Sequence, residues 1–392
     1  MRNEQPRAAK GHGSVYLNTV FLLLIFGFTV ANIIRPQKER SEAENRSLTQ
    51  RPALEWDSLI SGEFAKEYET YLSDQFILRD GWITLRTGIE RAALKQELSD
   101  IYFASDSYLI EKHTGVFDTD TAKANIGRVA AFFQSLEERF APEHLSCIVV
   151  PNAVKMLPEM LPAFADPYDE EVYLNQIKAA LPEGIWFDAL DVLRRSHSED
   201  PSRQLYYRTD HHWTTEAAFD VFAAWAAEKR LGEVDAGQYT VQTVTDSFEG
   251  TVSSKLGIAG KADSIQRWDP AVPYDYYLVY NHSDDIRNSI YQDSFLETKD
   301  KYAYFYGGNQ GLIETKMPQG NTGRRLLIIK DSYAHCFAPF TCGLFDEVDL
   351  VDPRYYNASI KDLIASKSYT DVLFLFNASG FAEETGLARL AV

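Results

Sequence analysis

Two short clusters in this chain carry the residue types of nucleophilic catalysis. The first is Thr209-Asp210-His211-His212-Trp213-Thr214; the second is Ile329-Lys330-Asp331-Ser332-Tyr333-Ala334. Asp210 and His212 are two apart, so in extended chain both side chains project to one side and His211 to the other. An aspartate beside an imidazole fixes its tautomer and stabilises the imidazolium that forms when it takes a proton. His212 is therefore the candidate general base and Asp210 its orienter. Ser332 is the candidate nucleophile, because a hydroxyl needs such a base at neutral pH. It lies between the apolar run Leu326-Leu327-Ile328-Ile329 and a helical pattern, and strand-to-helix turns are where α/β hydrolytic enzymes expose a serine. There it gains from the helix dipole and from backbone N–H donors able to hold an oxyanion. The competing readings are structural: a capping and packing cluster for Asp210-His211-His212, and an ordinary N-cap for Asp331-Ser332.

Weaker candidates surround these three. Asn309 follows Tyr306-Gly307-Gly308, where glycines allow close backbone approach to a ligand, and Asn377 ends the apolar run Leu373-Phe374-Leu375-Phe376. Asn309, Gly308, Asn377 and Tyr306 are thus oxyanion or substrate-binding candidates, with turn formation the plainer role for each asparagine. His335, three residues after Ser332, shares its helical face and is a rival base; His212 is preferred for its carboxylate. Asp210, His211 and His212 are all metal-ligand types, yet adjacent histidines diverge and no further pattern completes a site. No metal and no cofactor are expected.

These residues need a scaffold, and the composition supplies one. The 392 residues are 45% hydrophobic and 13% aromatic, enough for one large α/β domain with appendages. A net charge of −18 without a Lys/Arg run argues against a nucleic-acid partner. Tyr16 to Ile34 is uncharged and long enough to span a bilayer. Arg2, Arg7 and Lys10 against Glu4 before it keep the N-terminus cytoplasmic. The expected organisation is a cytoplasmic segment 1–15, a transmembrane anchor 16–34, a polar linker 35–57 and an extracytoplasmic domain 58–392. A cleaved signal ending near Thr29-Val30-Ala31, or a buried core helix, are the alternatives for the apolar stretch. Three cysteines, Cys147, Cys336 and Cys342, fit neither a disulfide framework nor a zinc ribbon and read as core residues.

Leu59 to Lys95 shows helical spacing with a break at Arg79-Asp80-Gly81. Ile101-Tyr102-Phe103 and Tyr108-Leu109-Ile110 suggest a hairpin. The helix 122–140 leads into the apolar strand Ser146-Cys147-Ile148-Val149-Val150, the rhythm of a sheet covered on both faces. Trp186-Phe187-Asp188 is a further strand, the helix 216–229 is capped by Thr214 or Thr215, and the last three core strands fall at 326–329, 348–351 and 372–376. The stretch 232–319 reads as an irregular β-rich insertion.

At these residues the chain resembles the DHHW family of bacterial exported proteins, through Asp210-His211-His212-Trp213 and through Glu44-Asn45-Arg46, Tyr71-Leu72-Ser73-Asp74-Gln75-Phe76, Val150-Pro151, Gly307-Gly308-Asn309, Lys330-Asp331-Ser332-Tyr333-Ala334 and Asp352-Pro353-Arg354-Tyr355. That family is similar to the SGNH-like domains of alginate O-acetyltransferase proteins, in which an Asp-x-His motif precedes the nucleophilic serine. The resemblance implies an SGNH-hydrolase-like α/β/α sandwich with a mostly parallel central sheet behind an N-terminal transmembrane helix, and makes Asp210, His212 and Ser332 its triad. Glu216-Ala217 departs from the glycine that many relatives have after Trp-Thr. The activity implied is extracytoplasmic O-acyl transfer, chiefly O-acetyl transfer, to a polysaccharide, with a membrane-bound O-acyltransferase as acyl supplier; water as acceptor would make it an esterase. A sugar groove lined by Tyr276, Tyr277, Tyr280, Tyr302, Tyr304 and Tyr306 would favour transfer, and strand packing is their plainer role. The alternative from another class is a membrane-tethered glycan-binding or assembly protein without turnover.

Overall fold

The computed structural model describes residues 12–41 and 46–391. The charged flank Arg2, Glu4, Arg7 and Lys10, and Glu44 and Asn45 of one family block, lie outside the described residues. The chain divides into two compact units, Met1–Gly88 and Ile89–Val392.

The first unit begins with α1 (His12–Ile34). Its Val15–Ile34 stretch is long and apolar enough to cross a bilayer, and none of that window is buried in protein, which is not the surrounding of a core helix. Three helices follow: α2 (Trp56–Ser61), α3 (Glu63–Asp74) and α4 (Arg79–Ala92). The break between α3 and α4 falls at Gln75–Leu78, earlier than the expected Arg79-Asp80-Gly81. Gln75 closes α3 by donating its N–H to the Tyr71 carbonyl at 2.9 Å, Leu78 turns the chain at φ +55°, and Gly81 falls inside the first turn of α4. Part of the segment 35–57 is ordered: Arg40–Ser41 pairs antiparallel with Arg46–Ser47, and the Gln75 amide bonds both the N–H and the carbonyl of Lys38.

The second unit is built on an eight-stranded sheet: β1 (Leu145–Val150), β2 (Trp186–Phe187), β3 (Tyr277–Tyr280), β4 (Ile286–Arg287), β5 (Leu312–Lys316), β6 (Arg325–Lys330), β7 (Glu347–Val351) and β8 (Asp371–Asn377). Their spatial order is β4-β3-β5-β7-β6-β8-β1-β2. From β7 to β2 every neighbouring pair is parallel, and β5, β3 and β4 extend the sheet antiparallel. The parallel centre is covered on both faces, which is why β1, β6 and β8 are near-continuous apolar runs.

The two faces can be read from register. Ser146 lies opposite Leu373, and Cys147 opposite Phe374. The Ser146 hydroxyl accepts the indole N–H of Trp225, so the helix carrying that tryptophan, Thr215–Glu228, covers one face. Phe374 meets Phe381 edge-on at 5.8 Å, so the helix Ala378–Glu383 covers the other. The helices Asp120–Leu136 and Glu170–Ala180 join the second layer through Tyr173, which bonds the Ala122 carbonyl and packs on Phe381. Phe337 of the helix Ala334–Thr341 meets Phe222 edge-on and Trp225 at a tilt in the first layer. The result is the α/β/α arrangement expected from the sequence. Within 232–319 an antiparallel ribbon, Tyr239–Phe248 with Asp263–Pro270, precedes β3, β4 and β5. The hairpin forms from Ile101–Phe103 and Leu109–Glu111. All three cysteines are free and buried.

Candidate active site

Ser332 stands directly past the C-terminal end of β6, in the turn Asp331-Ser332-Tyr333 that opens the helix Ala334–Thr341. That turn is pinned from below. The Asp331 carboxylate accepts the N–H of Tyr333 at 2.8 Å and the backbone and side-chain N–H groups of Asn377 at 2.8 and 2.6 Å. Burial pushes the Asp331 carboxyl up to about 6 against these donors.

The Asp210–Trp213 segment is a short loop clamped at its base. Tyr206 and Trp213 form an isolated antiparallel bridge, Thr214 donates its N–H to the Leu205 carbonyl, and Thr214 then caps Thr215–Glu228 by accepting the Ala217 N–H. The Trp213 indole N–H reaches the Tyr333 carbonyl at 2.9 Å, and the Tyr333 hydroxyl donates to the His211 carbonyl. These two hydrogen bonds join the clusters beside the His212–Ser332 contact.

Between them runs a continuous polar chain. Asp210 Oδ1 lies 2.5 Å from His212 Nδ1, and His212 Nε2 lies 2.8 Å from Ser332 Oγ. The second oxygen of Asp210 accepts the N–H and the hydroxyl of Thr251 at 2.7 and 3.0 Å, so both carboxylate oxygens are fixed. Burial opposes ionisation of Asp210, but the neighbouring imidazoles and the His212 and Thr251 hydrogen bonds outweigh it and hold its carboxyl well below the usual range. Burial first, then His211, push His212 down to about 4 in spite of Asp210. At neutral pH the ring is the free base, with the Nδ1 proton on Asp210 and Nε2 open to the serine hydroxyl. The ring is also wedged between His211, centroid 3.9 Å away, and Tyr302, stacked at 3.8 Å.

The other sequence candidates fare differently. Asn377 is buried and holds the turn: its Nδ2 donates to Asp331, and its Oδ1 caps the helix Ala378–Glu383 by accepting the Gly380 N–H and also accepts from Ser379 and Asn152. Tyr306 is wholly buried, so it packs beneath the site and does not line it. Gly308, at φ +82°, donates its N–H to the Phe305 carbonyl. Asn309 alone of the four is exposed, and its side-chain oxygen accepts from Arg354 at 3.2 Å. His335 is no rival base: it is buried 2.9 Å from Lys330 Nζ, and burial followed by the Lys330 charge drives its imidazole well below the ordinary value. The donor atoms of Asp210, His211 and His212 gather within 4.8 Å, but each ring's Nδ1 is engaged by the protein, on Thr251 and on Asp210.

Sequence reasoning missed four contributors. Tyr302 was grouped with the sugar-facing tyrosines and is instead the buried stacking partner of His212. Thr251 had no signal at all. Arg354 bonds Asp352 through Nε and Nη2 at 2.8 and 2.6 Å, and Asp352 in turn takes Lys330 Nζ at 3.0 Å; Asp352-Pro353-Arg354 was visible only as a family block. Gly250 completes the list, because a Cβ there would stand 2.2 Å from Asp210 Cβ.

A mostly parallel sheet with an Asp-x-His loop and a serine at a strand end defines an SGNH-like α/β protein. Comparison with known proteins narrows this: residues 189–351 match the family model described as DHHW protein, so the resemblance read from the motifs holds over the segment that contains all three residues. Among solved structures the chain is similar to a DHHW family protein from Eubacterium siraeum, at 21% identity and a TM-score of 0.62 over 75% of this chain and 96% of that one. It is similar to Bacillus cereus PatB1, solved with a sulfonyl adduct, at 17% identity and a TM-score of 0.59 over 73% and 98%. The O-acetyltransferase domain of Pseudomonas putida AlgJ is more distant, at 13% identity and a TM-score of 0.46 over 74% and 98%. No curated protein matches the chain.

Proposed function

We propose that the protein is a membrane-anchored serine O-acyltransferase that esterifies a polysaccharide of the cell envelope, acetyl being the simplest acyl group. In the first step Ser332 Oγ attacks the acyl carbonyl while its proton passes to His212 Nε2. The tetrahedral intermediate expels the donor's oxygen, which takes that proton, and leaves an acyl-serine. A sugar hydroxyl then gives its proton to His212 and attacks the same carbonyl; collapse restores the serine hydroxyl and releases the sugar ester. Water in the second step would release the acid, making the protein an esterase. Asp210 supports the imidazolium in both steps.

One observation carries this reading: the unbroken chain Asp210–His212–Ser332 at 2.5 and 2.8 Å, with the ring uncharged at neutral pH. The proposal includes α1 as an uncleaved anchor with its N-terminal side cytoplasmic, the site on the opposite side of the membrane, and a membrane-bound O-acyltransferase as supplier.

The test uses the full chain in detergent, an activated acetyl ester, and intact mass. Wild type is expected to gain one acetyl group or turn the ester over, and Ser332→Ala and His212→Ala to lose at least about 10³-fold. A sulfonyl fluoride is the second probe. Folded wild type that neither acetylates nor takes up the sulfonyl group at Ser332 would sink the proposal and favour a glycan-binding role without turnover.

A further inference from the structure

The first unit holds a corner that no step of the proposed reaction uses. Between α3 and α4 the chain turns through Phe76, Ile77 and Leu78, and this turn packs against α1. Phe76 stacks on Phe28 at 6.0 Å and Trp82 meets the same ring at 5.8 Å. Phe28 lies six residues before the end of the apolar Val15–Ile34 span, which at 1.5 Å per residue is about 9 Å inside it. If that span occupies the hydrocarbon core, the corner that touches Phe28 cannot stand clear of the bilayer.

Backbone groups of the corner are met from α1, while the charged Arg79 and Asp80 beside it lie 4.0 Å apart. A backbone N–H held in lipid needs a partner from protein. The Ile77 N–H has one in the side chain of Asn32, whose oxygen accepts it at 2.8 Å, while the Asn32 Nδ2 donates to the Phe28 carbonyl one turn below. Arg35, the first residue past the span, reaches the Phe76 carbonyl at 3.3 Å. Asn32 thus has both its amide functions used, one of them to satisfy this turn.

The apolar side chains of the corner nevertheless face outward. Leu78, in the left-handed conformation at φ +55°, is 67% exposed, and Trp82 and Leu85, on the same side of α4, are 43% and 52% exposed. Leucine enters that conformation only under constraint, and here the constraint presents it to the surroundings. Tryptophan at the end of a spanning helix is the residue type of the membrane interface.

We propose that Leu78, Trp82 and Leu85 form a second membrane contact, immersed in the leaflet at the C-terminal end of α1, so that the first unit is held by a spanning helix and by a monotopic corner together. This rests on α1 spanning the bilayer. The occupant of the surface is lipid, argued from its continuity with α1 through Phe28 and Asn32.

The full chain reconstituted in phosphatidylcholine vesicles, with no other protein, tests this. Spin labels at Leu78→Cys, Trp82→Cys and Leu85→Cys are compared with Phe21→Cys inside α1 and Lys66→Cys on α3; the native cysteines are buried. The three corner labels are expected to be relaxed more by oxygen than by an aqueous nickel chelate, as at Phe21, with the reverse at Lys66. Corner labels that read aqueous while Phe21 reads apolar would overturn the proposal and leave the anchor standing, and would point to a protein partner as the occupant. Aqueous labels at Phe21 as well would overturn both. Independently of any cysteine variant, brominated lipid should quench the native tryptophan fluorescence, and Trp82→Phe should lose part of that quenching; no loss in a protein with unchanged circular dichroism counts against the corner.

Discussion

At the scale of single residues, the chemistry turns on keeping one imidazole uncharged. Burial and His211 depress His212 to about 4, so acyl transfer, which needs the free base, is expected to persist as pH falls and to fail only through about pH 4, well below the ordinary histidine range. His211→Ala removes one of the three depressing causes, burial, His211 and Arg354, and the acid limb of kcat/KM should move upward. A limb that stays in place would show that His211 does not act on His212. The Asp331 carboxyl titrates earlier, at about 6, and Asp331→Asn should erase any shoulder there without shifting the lower limb. Asp210, His212 and Ser332 were legible in the sequence because two of them stand two residues apart and the third in a strand-to-helix turn. The first segment is a bend and not extended chain, however, so His211 does not point away and its ring lies 3.9 Å from that of His212. Thr251 and Tyr302 were not, since their parts depend on distances that only the folded chain creates. Asn377 and Tyr306 were misjudged for the converse reason: an amide or a phenol announces a hydrogen bond, and the sequence cannot say that the amide is already spent or the phenol buried.

At the scale of elements, the Asp210 loop is steadied by the start of the short helix Thr251–Leu256 that connects the two strands of the ribbon. Gly250 precedes that helix and donates its N–H to Thr209 Oγ1 at 3.1 Å. Gly250→Ala would set a methyl 2.2 Å from Asp210 Cβ and 2.3 Å from its Oδ2, so the carboxylate must leave its place. Since misplacement by about 1 Å costs on the order of 10²-fold in rate, the variant should lose about that much kcat/KM while its circular dichroism stays native. Unchanged turnover would mean that the ribbon end does not position Asp210. The strands differed in legibility. β6 and β8 could be read because burial on both faces leaves their centres apolar, and β7 because Val348, Leu350 and Val351 flank its one buried aspartate, Asp349. β3 and β5 mix Tyr, Glu, Thr and Lys with apolar residues, as expected on the antiparallel side of the sheet, and so passed for an irregular insertion although they belong to the central sheet. The turn at Leu78 was displaced in the reading because a glycine marks a break only when it falls inside a helix, and Gly81 falls at a start.

At the scale of the whole molecule, the order in which the sheet is written differs from the order in which it is laid. β8 is the last strand in sequence, yet it lies between β6, which carries Ser332, and β1, and Asn377 at its end holds the Asp331 carboxylate. A chain ending before Asp371 should therefore expose two unpaired central edges, show no cooperative melting, and take no sulfonyl label at Ser332; labelling of such a fragment would refute this dependence. Domains form as synthesis proceeds from the N-terminus, and here the base is made before the nucleophile and the strand that locks them together later still. A nascent chain that has not yet added β8 is expected to be chemically silent, so the competence of the serine reports that this strand has joined the sheet.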